Sequence, residues 1–371
     1  MINFAYGAPS LMAKNMTTCI MTFLLTFSLW VNISHAEGLS IVELRQVLEA
    51  LKPGERFEIP SGVYHGRIRL SLQGTSGQPI VIDGLDQALI SGEKCTDFDE
   101  GEMTPLLDLV DCKHLVVKNL RLGQYETKVK GCIPVGILIS GVSSDVTVLD
   151  CDIFDISQDY WNGKSNNLGE FCYRDAHAIA VYGREKEPIT DCYILGNRIH
   201  HCRLGSSETL VINGNVEGWR IEDNHIFDCD NIGIDIIGHE GIAPDPELDV
   251  ARKGVIKGNR VHGIKTMGNK AYTSKSETSG YDACAAGIYI DGGKAVEILD
   301  NIVYDCDIGI ELASEHGGKS SSNVLVKGNT VYENGQCGLA LGASTQKQGR
   351  LYDIRVMENT FCDNGYLGWG M

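Results

Sequence analysis

Asp291, Glu311 and Glu315 are the side chains whose types and spacing best suit acid–base chemistry. Asp291 ends the run Ala286-Gly-Ile-Tyr-Ile-Asp291, and Glu311 and Glu315 follow in Gly309-Ile-Glu-Leu-Ala-Ser-Glu315-His316. Both runs alternate with period two, so Ile288 and Ile310 face a core while Tyr289 and Glu311 share an outward column. Asp291 then leads the next column. On adjacent parallel strands, Asp291 and Glu311 lie on a diagonal of about 8 Å between Cα atoms. From there the carboxyl groups reach either about 5 Å, the retaining geometry of glycoside cleavage, or about 6.5–9.5 Å, the inverting one.

More polar groups fall on the same face. Gly233-Ile-Asp-Ile236 puts Asp235 in the column of Tyr289 and Glu311, and Asn213 lies one strand earlier in the column of Asp291. His239 and Glu240 come just past one strand, His316 just past another, and His177 opens a third. Asn213, Tyr289, His239, His316 and His177 are therefore the expected substrate-binding set. An outer sheet face is polar in any protein, so one acid alone means little. The three long inserts beside these strands, Ser157 to Asp175, Gly238 to Lys253 and Ile264 to Ala285, add the weight. Long aperiodic loops on both sides of one sheet make a groove, and such loops tend to carry function.

The elements that must hold these groups are repeats. One half-repeat reads apolar-x-polar-Asn, as in Ile194-Leu-Gly-Asn197, Ile221-Glu-Asp-Asn224, Ile256-Lys-Gly-Asn259, Ile298-Leu-Asp-Asn301, Val326-Lys-Gly-Asn329 and Val356-Met-Glu-Asn359. The other half is the outward-alternating strand of Asp235 and Asp291. Successive asparagines are 27, 35, 42, 28 and 30 residues apart. The shortest interval suits one bare coil of three short strands, and a fixed period of this size signals a solenoid. The expected fold is all-β, a right-handed parallel β-helix of about nine coils. An amphipathic helix from Ser40 to Leu51 caps the first coil, and the asparagines align at one turn as a ladder. The last half-repeat at Asn359 to Asn364, with Tyr366 to Met371 beginning another strand, reads as a solenoid without a closing cap.

The opening residues carry a resemblance. Pro53-Gly-Glu-Arg-Phe-Glu-Ile-Pro60, Ser61-Gly-Val-Tyr64, Gly74-Thr-Ser-Gly-Gln-Pro-Ile80 and Leu89-Ile-Ser-Gly92 resemble the helix, "PGD" turn, "PGTY", "GTxxxPI" and "ISG" that begin pectin-lyase-like β-helix proteins. The likeness runs over essentially all of 38 to 364 and implies the fold. Gly287-Ile-Tyr-Ile-Asp291 and Glu315-His-Gly resemble the catalytic strands of β-helix xylosidases, which implies Asp291 and Glu315 as the catalytic pair. Ser207-Glu-Thr209 and Gly233-Ile-Asp-Ile-Ile237 resemble stretches of chondroitinase-B and alginate-lyase relatives. That likeness implies a second chemistry, in which Asp235 and Glu311 hold Ca²⁺ on a uronate and a base removes the C5 proton. Gly233 stands where that motif has a second carboxylate, and Lys265, Lys270 and Lys275 are the available bases.

Composition narrows the partners. The 371-residue chain has a formal charge of -17, which excludes nucleic acid, whose phosphates need a positive field. No resident cofactor is expected, Ca²⁺ being the one possible ion. The expected partner is a polysaccharide or oligosaccharide, and the expected activity is glycoside hydrolysis. A Ca²⁺-dependent lyase or epimerase and a non-catalytic glycan-binding protein are the alternatives. Residues 1–36 read as a secretory signal ending Ser34-His-Ala36, with 37–371 as the β-helix domain, so the protein is expected outside the cytoplasm, extracellular or periplasmic. The apolar run from Thr18 to Ile33 is short for a membrane span. Of 13 cysteines, the even number after the signal suggests disulfides. Cys229 and Cys306 nevertheless share one repeat context, Asp-Cys-Asp, and are expected to point inward as buried, reduced thiols.

Overall fold

The computed structural model describes residues 38–98, 101–160, 174–269, 271–272, 283–342 and 347–367. The expected signal at 1–36, most of the insert at 157–175, Lys270, Lys275 and the last four residues of the expected final strand lie outside the described residues. Among the described residues, no helix is long and apolar enough to cross a membrane.

The chain opens with helix Ile41–Glu49, held by a capping box: Glu43 N donates to Ser40 Oγ, and Ser40 N donates back to the Glu43 carboxylate. Leu44 and Leu48, one turn apart, are buried against the first coil. Every named strand then pairs in parallel with the strand one coil away, so the chain winds through three sheets. The first runs from Arg56–Glu58 to Arg350–Met357, the second from Gly62–His65 to Thr360–Cys362, and the third from Ile68–Leu70 to Cys337–Leu341. The third sheet has nine strands, matching the expected number of coils. Inward Ile, Leu and Val from all three sheets fill one continuous core.

The asparagine ladder is present along its whole length. Asn197, Asn224, Asn259, Asn301 and Asn329 each donate Nδ2 to the Oδ1 of the next rung at 2.9 Å. Each of these five also donates Nδ2 to a carbonyl of the coil before, at 2.9–3.0 Å. An amide carries both donor and acceptor, so one side chain satisfies the turn above and the turn below. A second, shorter ladder was not read from the sequence. Asp230 Oδ1 accepts from Leu204 N, Asp307 from Thr266 N, and Asn334 from Cys306 N. It mixes aspartate with asparagine, so it has no single-residue signature.

Cys229 and Cys306 point inward with free thiols, their sulfurs over the carbonyls of Phe227 and Tyr304. Ile264 holds the equivalent place on the coil between them. Two coil steps amount to about 9.6 Å, beyond the reach of a disulfide. The repeat context therefore decided the state of this pair, against the even count. Burial pushes the Cys306 thiol up to about 12.

Candidate active site on the third sheet

The outer face of the third sheet is built by a small local device. Gly233, Gly287 and Gly309 face inward beside the inward isoleucines, so two consecutive residues point to the core before alternation resumes. A Cβ on Gly287 would come within 2.5 Å of Val303 and 2.9 Å of the Gly309 carbonyl. Only glycine fits there, and the residues after it are thereby held in outward register.

Three outward columns result. Asp235, Tyr289 and Glu311 are direct partners on successive strands. Asn213 pairs Ile237 one column over, and Asp291 pairs Ala313 in that same column. His177 and Glu208 open their strands in the remaining column, with His177 Nδ1 3.1 Å from the Glu208 carbonyl and 3.5 Å from its carboxylate. Asp291 and Glu311 therefore do lie on a diagonal across adjacent strands.

The acids converge. Glu315 N donates to Asp291 Oδ1 at 2.7 Å, and the Tyr289 hydroxyl donates to Glu315 Oε1 at 3.3 Å. Asp235 is only 2 % exposed and Asp291 6 %, while Glu315 and Glu240 are exposed at the rim. One Asp235 oxygen is buried without a hydrogen-bond partner. No described lysine or arginine pairs with Glu208, Asp235, Asp291, Glu311 or Glu315.

Burial is the main cause of the unusual acidity here. It pushes Asp291 up to about 7, helped by the charges of Glu315, Glu240 and Glu311 and opposed by the Glu315 N–H. It does the same to Glu311, also to about 7, with Glu315 adding to it. Asp235 and Glu208 are held well above the usual carboxylate range, by burial first and then by neighbouring acids. Burial also lowers His177 to about 4. The floor is thus a set of carboxylic acids able to hold protons near neutral pH, with ionisable groups at the rim.

Walls stand on two sides. On one, the segment after Gly238 is pinned by Asp249, whose oxygens accept from Gly241 N and Ala243 N, and Ile242 packs beside Tyr182 and Val211. There Asn213 Nδ2 donates to Glu240 Oε2 at 2.7 Å. On the other, the insert after Ile264 is tied down by Asn269 Nδ2 donating to the Gly205 carbonyl at 2.6 Å. Tyr272 of that insert is raised by burial and then by the charges of Cys284, Glu208, Glu315 and Asp175, so it lies within electrostatic reach of the acids.

The expected residues divide. Asp235, Tyr289, Asp291, Glu311 and Glu315 are brought together. Asn213 reaches Glu240, and His177 reaches Glu208. His239 lines a neighbouring cavity with Lys319 and Ser320 instead, close to His316. Asp235 and Glu311 have Tyr289 between them. Lys265, one of the expected bases, pairs with Asp305 at 2.6 Å. Among the described residues, no group of three or more His, Cys, Asp or Glu is gathered so as to hold a metal ion. Glu208 and Tyr272 belong to the site and were not expected in it. Glu208 opens the strand next to His177, so its register was a usable signal. Tyr272 lies in an aperiodic insert and had none.

Comparison with known proteins bears on the fold. The family model described as "Right handed beta helix region" matches residues 125–368. The uncharacterized protein YwoF of Bacillus subtilis (strain 168) is 33% identical over 327 residues, covering 88% of this chain and 65% of that protein. The GH136 lacto-N-biosidase from Eubacterium ramulus superposes with a TM-score of 0.55 at 14% identity, over 87% of this chain and 64% of that one. An alginate lyase from Paenibacillus sp. str. FPU-7 gives 0.44 at 15% identity, over 85% and 97%. The chain thus spans slightly less than two thirds of YwoF and of the lacto-N-biosidase, and at these identities the structural likenesses are of fold alone.

Proposed function

The chain belongs to the right-handed β-helix family, and from that premise we propose that it cleaves glycosidic bonds of a polysaccharide or oligosaccharide by acid–base hydrolysis. The observation that carries the reading is the Asp291–Glu315 pair. A buried acid and an exposed carboxylate meet at one spot between two walls, linked by the Glu315 N–H and the Tyr289 hydroxyl.

The roles follow from environment. Asp291 retains its proton up to about pH 7 and gives it to the leaving glycosidic oxygen as the bond to the anomeric carbon breaks. Glu315, exposed and steadied by Tyr289, either attacks the anomeric carbon or takes the proton of the attacking water. Asp235 lies in the floor beneath the sugar, where burial and the neighbouring acids favour its protonated form. Ile232 and Ile308 pack at the apolar edge of that floor. Asn213 and Glu240 contact sugar units further along the groove.

The test is digestion of a glycan panel, read both by new reducing ends and by ultraviolet absorbance of unsaturated products. Reducing ends without absorbance, lost in Asp291→Asn and Glu315→Gln, support hydrolysis. Unsaturated products that disappear on chelation would replace this reading with a Ca²⁺-dependent lyase. Because residues 1–36 read as a secretory signal, we propose that the protein acts outside the cytoplasm. N-terminal sequencing of the exported protein should begin close to Glu37, and protein retained in the cytoplasm with Met1 intact would refute that placement.

A further inference from the structure

A second cavity lies directly behind the acid rim, about 280 Å³ in volume, lined by His239, Glu247, Lys294, Lys319, Ser320 and Ser322 among others. Its chemistry is the reverse of the groove floor. Among the described residues, Lys294 and Lys319 form no ion pair, and Glu247 is the one carboxylate on the lining. Asp249, another acid close to His239, spends both oxygens on the backbone of Gly241 and Ala243. The Nδ1 atoms of His239 and of His316 beside it are buried and have no partner. Two free ammonium groups, two serine hydroxyls and an imidazole therefore face a cavity with little to balance them.

The position matters as much as the lining. His239 precedes Glu240 and His316 follows Glu315, so each rim carboxylate is joined in sequence to a histidine on the basic side. The backbone of Gly292, next to Asp291, separates the two regions, with the His239 ring against it. In a chain of formal charge -17, an isolated basic cavity at the mouth of an acid groove is a local reversal of sign. Such a reversal attracts an anion and orients it.

We propose that this cavity binds the anionic group, a uronate carboxylate or a sulfate ester, of the sugar unit next to the one cleaved. The inference rests on the glycan reading of the acid groove and adds the substrate class to it: an acidic glycan whose charge is held by Lys294 and Lys319, away from the carboxylates. Burial lowers His239, opposed by the Ser320 backbone, so near neutral pH the two lysines supply the charge.

Calorimetric binding to the Asp291→Asn protein tests this without cleavage. The probes are trigalacturonate against its methyl ester, and a 6-sulfated galactose tetrasaccharide against the unsulfated one. One anionic probe should bind at least about tenfold tighter than its neutral counterpart, which also tells carboxylate from sulfate. The preference should vanish in the Lys294→Gln/Lys319→Gln background and shrink with added salt, while the melting temperature stays unchanged. Equal affinity within both pairs, no binding of either anionic probe, or a preference that survives the double substitution would overturn the proposal. Failure of the hydrolase reading looks different, since an inactive protein can still show the lysine-dependent preference. Cleavage of neutral glycans alone would keep the hydrolase and remove the anion site.

Discussion

At the scale of single residues, the site works by keeping some carboxyl groups protonated and leaving others in water. Asp291 is the pivotal one, because burial raises it to about 7 while a backbone N–H fixes one of its oxygens. Asp291→Asn keeps the shape and removes the transferable proton, so kcat should fall by about 10²–10⁴ on the cleaved glycan, with circular dichroism unchanged. Since the protonated form is the active one, kcat/KM should decline as pH rises through about 7. Tyr289→Phe removes the hydroxyl that steadies Glu315 and should lower kcat by a smaller factor, leaving that pH limb in place. A pH profile that rises steadily above 7 would exclude Asp291 as the acid.

At the scale of the element, each coil is locked to the next by side chains that complete the backbone of the turns. In the central rung, Asn259 Oδ1 receives both N and Nδ2 of Asn224. Asn259→Ala leaves two buried donors unpaired, at about 1–3 kcal/mol each. At the last rung, Asn359 receives the same pair from Asn329 but is itself partly exposed, so water can replace it. Urea unfolding should show a clearly larger loss for Asn259→Ala than for Asn359→Ala, and equal losses would contradict the ladder as a source of stability. Gly287→Ala should also destabilise, by about 1–3 kcal/mol, because its Cβ has no room beside Val303. It would move Tyr289 and Asp291 with it.

At the scale of the whole molecule, the acid floor opposes stability. Asp291 has an ordinary value of 3.8 and about 7 when folded. Its contribution is therefore fully present below about pH 4 and is lost as pH rises through about 7. Glu208, Asp235 and Glu311 shift in the same direction, so their losses add to it. The melting temperature of Asp235→Asn should exceed that of the parent by several degrees at pH 8, with the gap closing toward pH 4. An unchanged gap across that range would mean the acids are not buried together. The core behaves oppositely to the rim toward thiol reagents. Iodoacetamide should label exposed Cys362 in the native protein and spare Cys229 and Cys306 until unfolding.

The sequence by itself determined the solenoid, because a coil repeats its chemistry every turn. Asn197 through Asn359 announce one turn, and Ile234, Ile288 and Ile310 announce one inward row, each from local pattern alone. It also placed Asp235, Tyr289, Asp291 and Glu311 on one face, since register follows once strands stack. Only the tertiary structure decided what lies between coils. Glu208 was within reach of the same register argument, but Tyr272 joins the acids through an insert that has no period to read. His239 stands beside the same strands in sequence, yet the path of the turn after Gly238 sends it to a separate basic cavity, with His316 nearby. Acidity too was a tertiary outcome: carboxylates become proton carriers when other chain segments exclude water from them, and no spacing of residues in sequence encodes that exclusion.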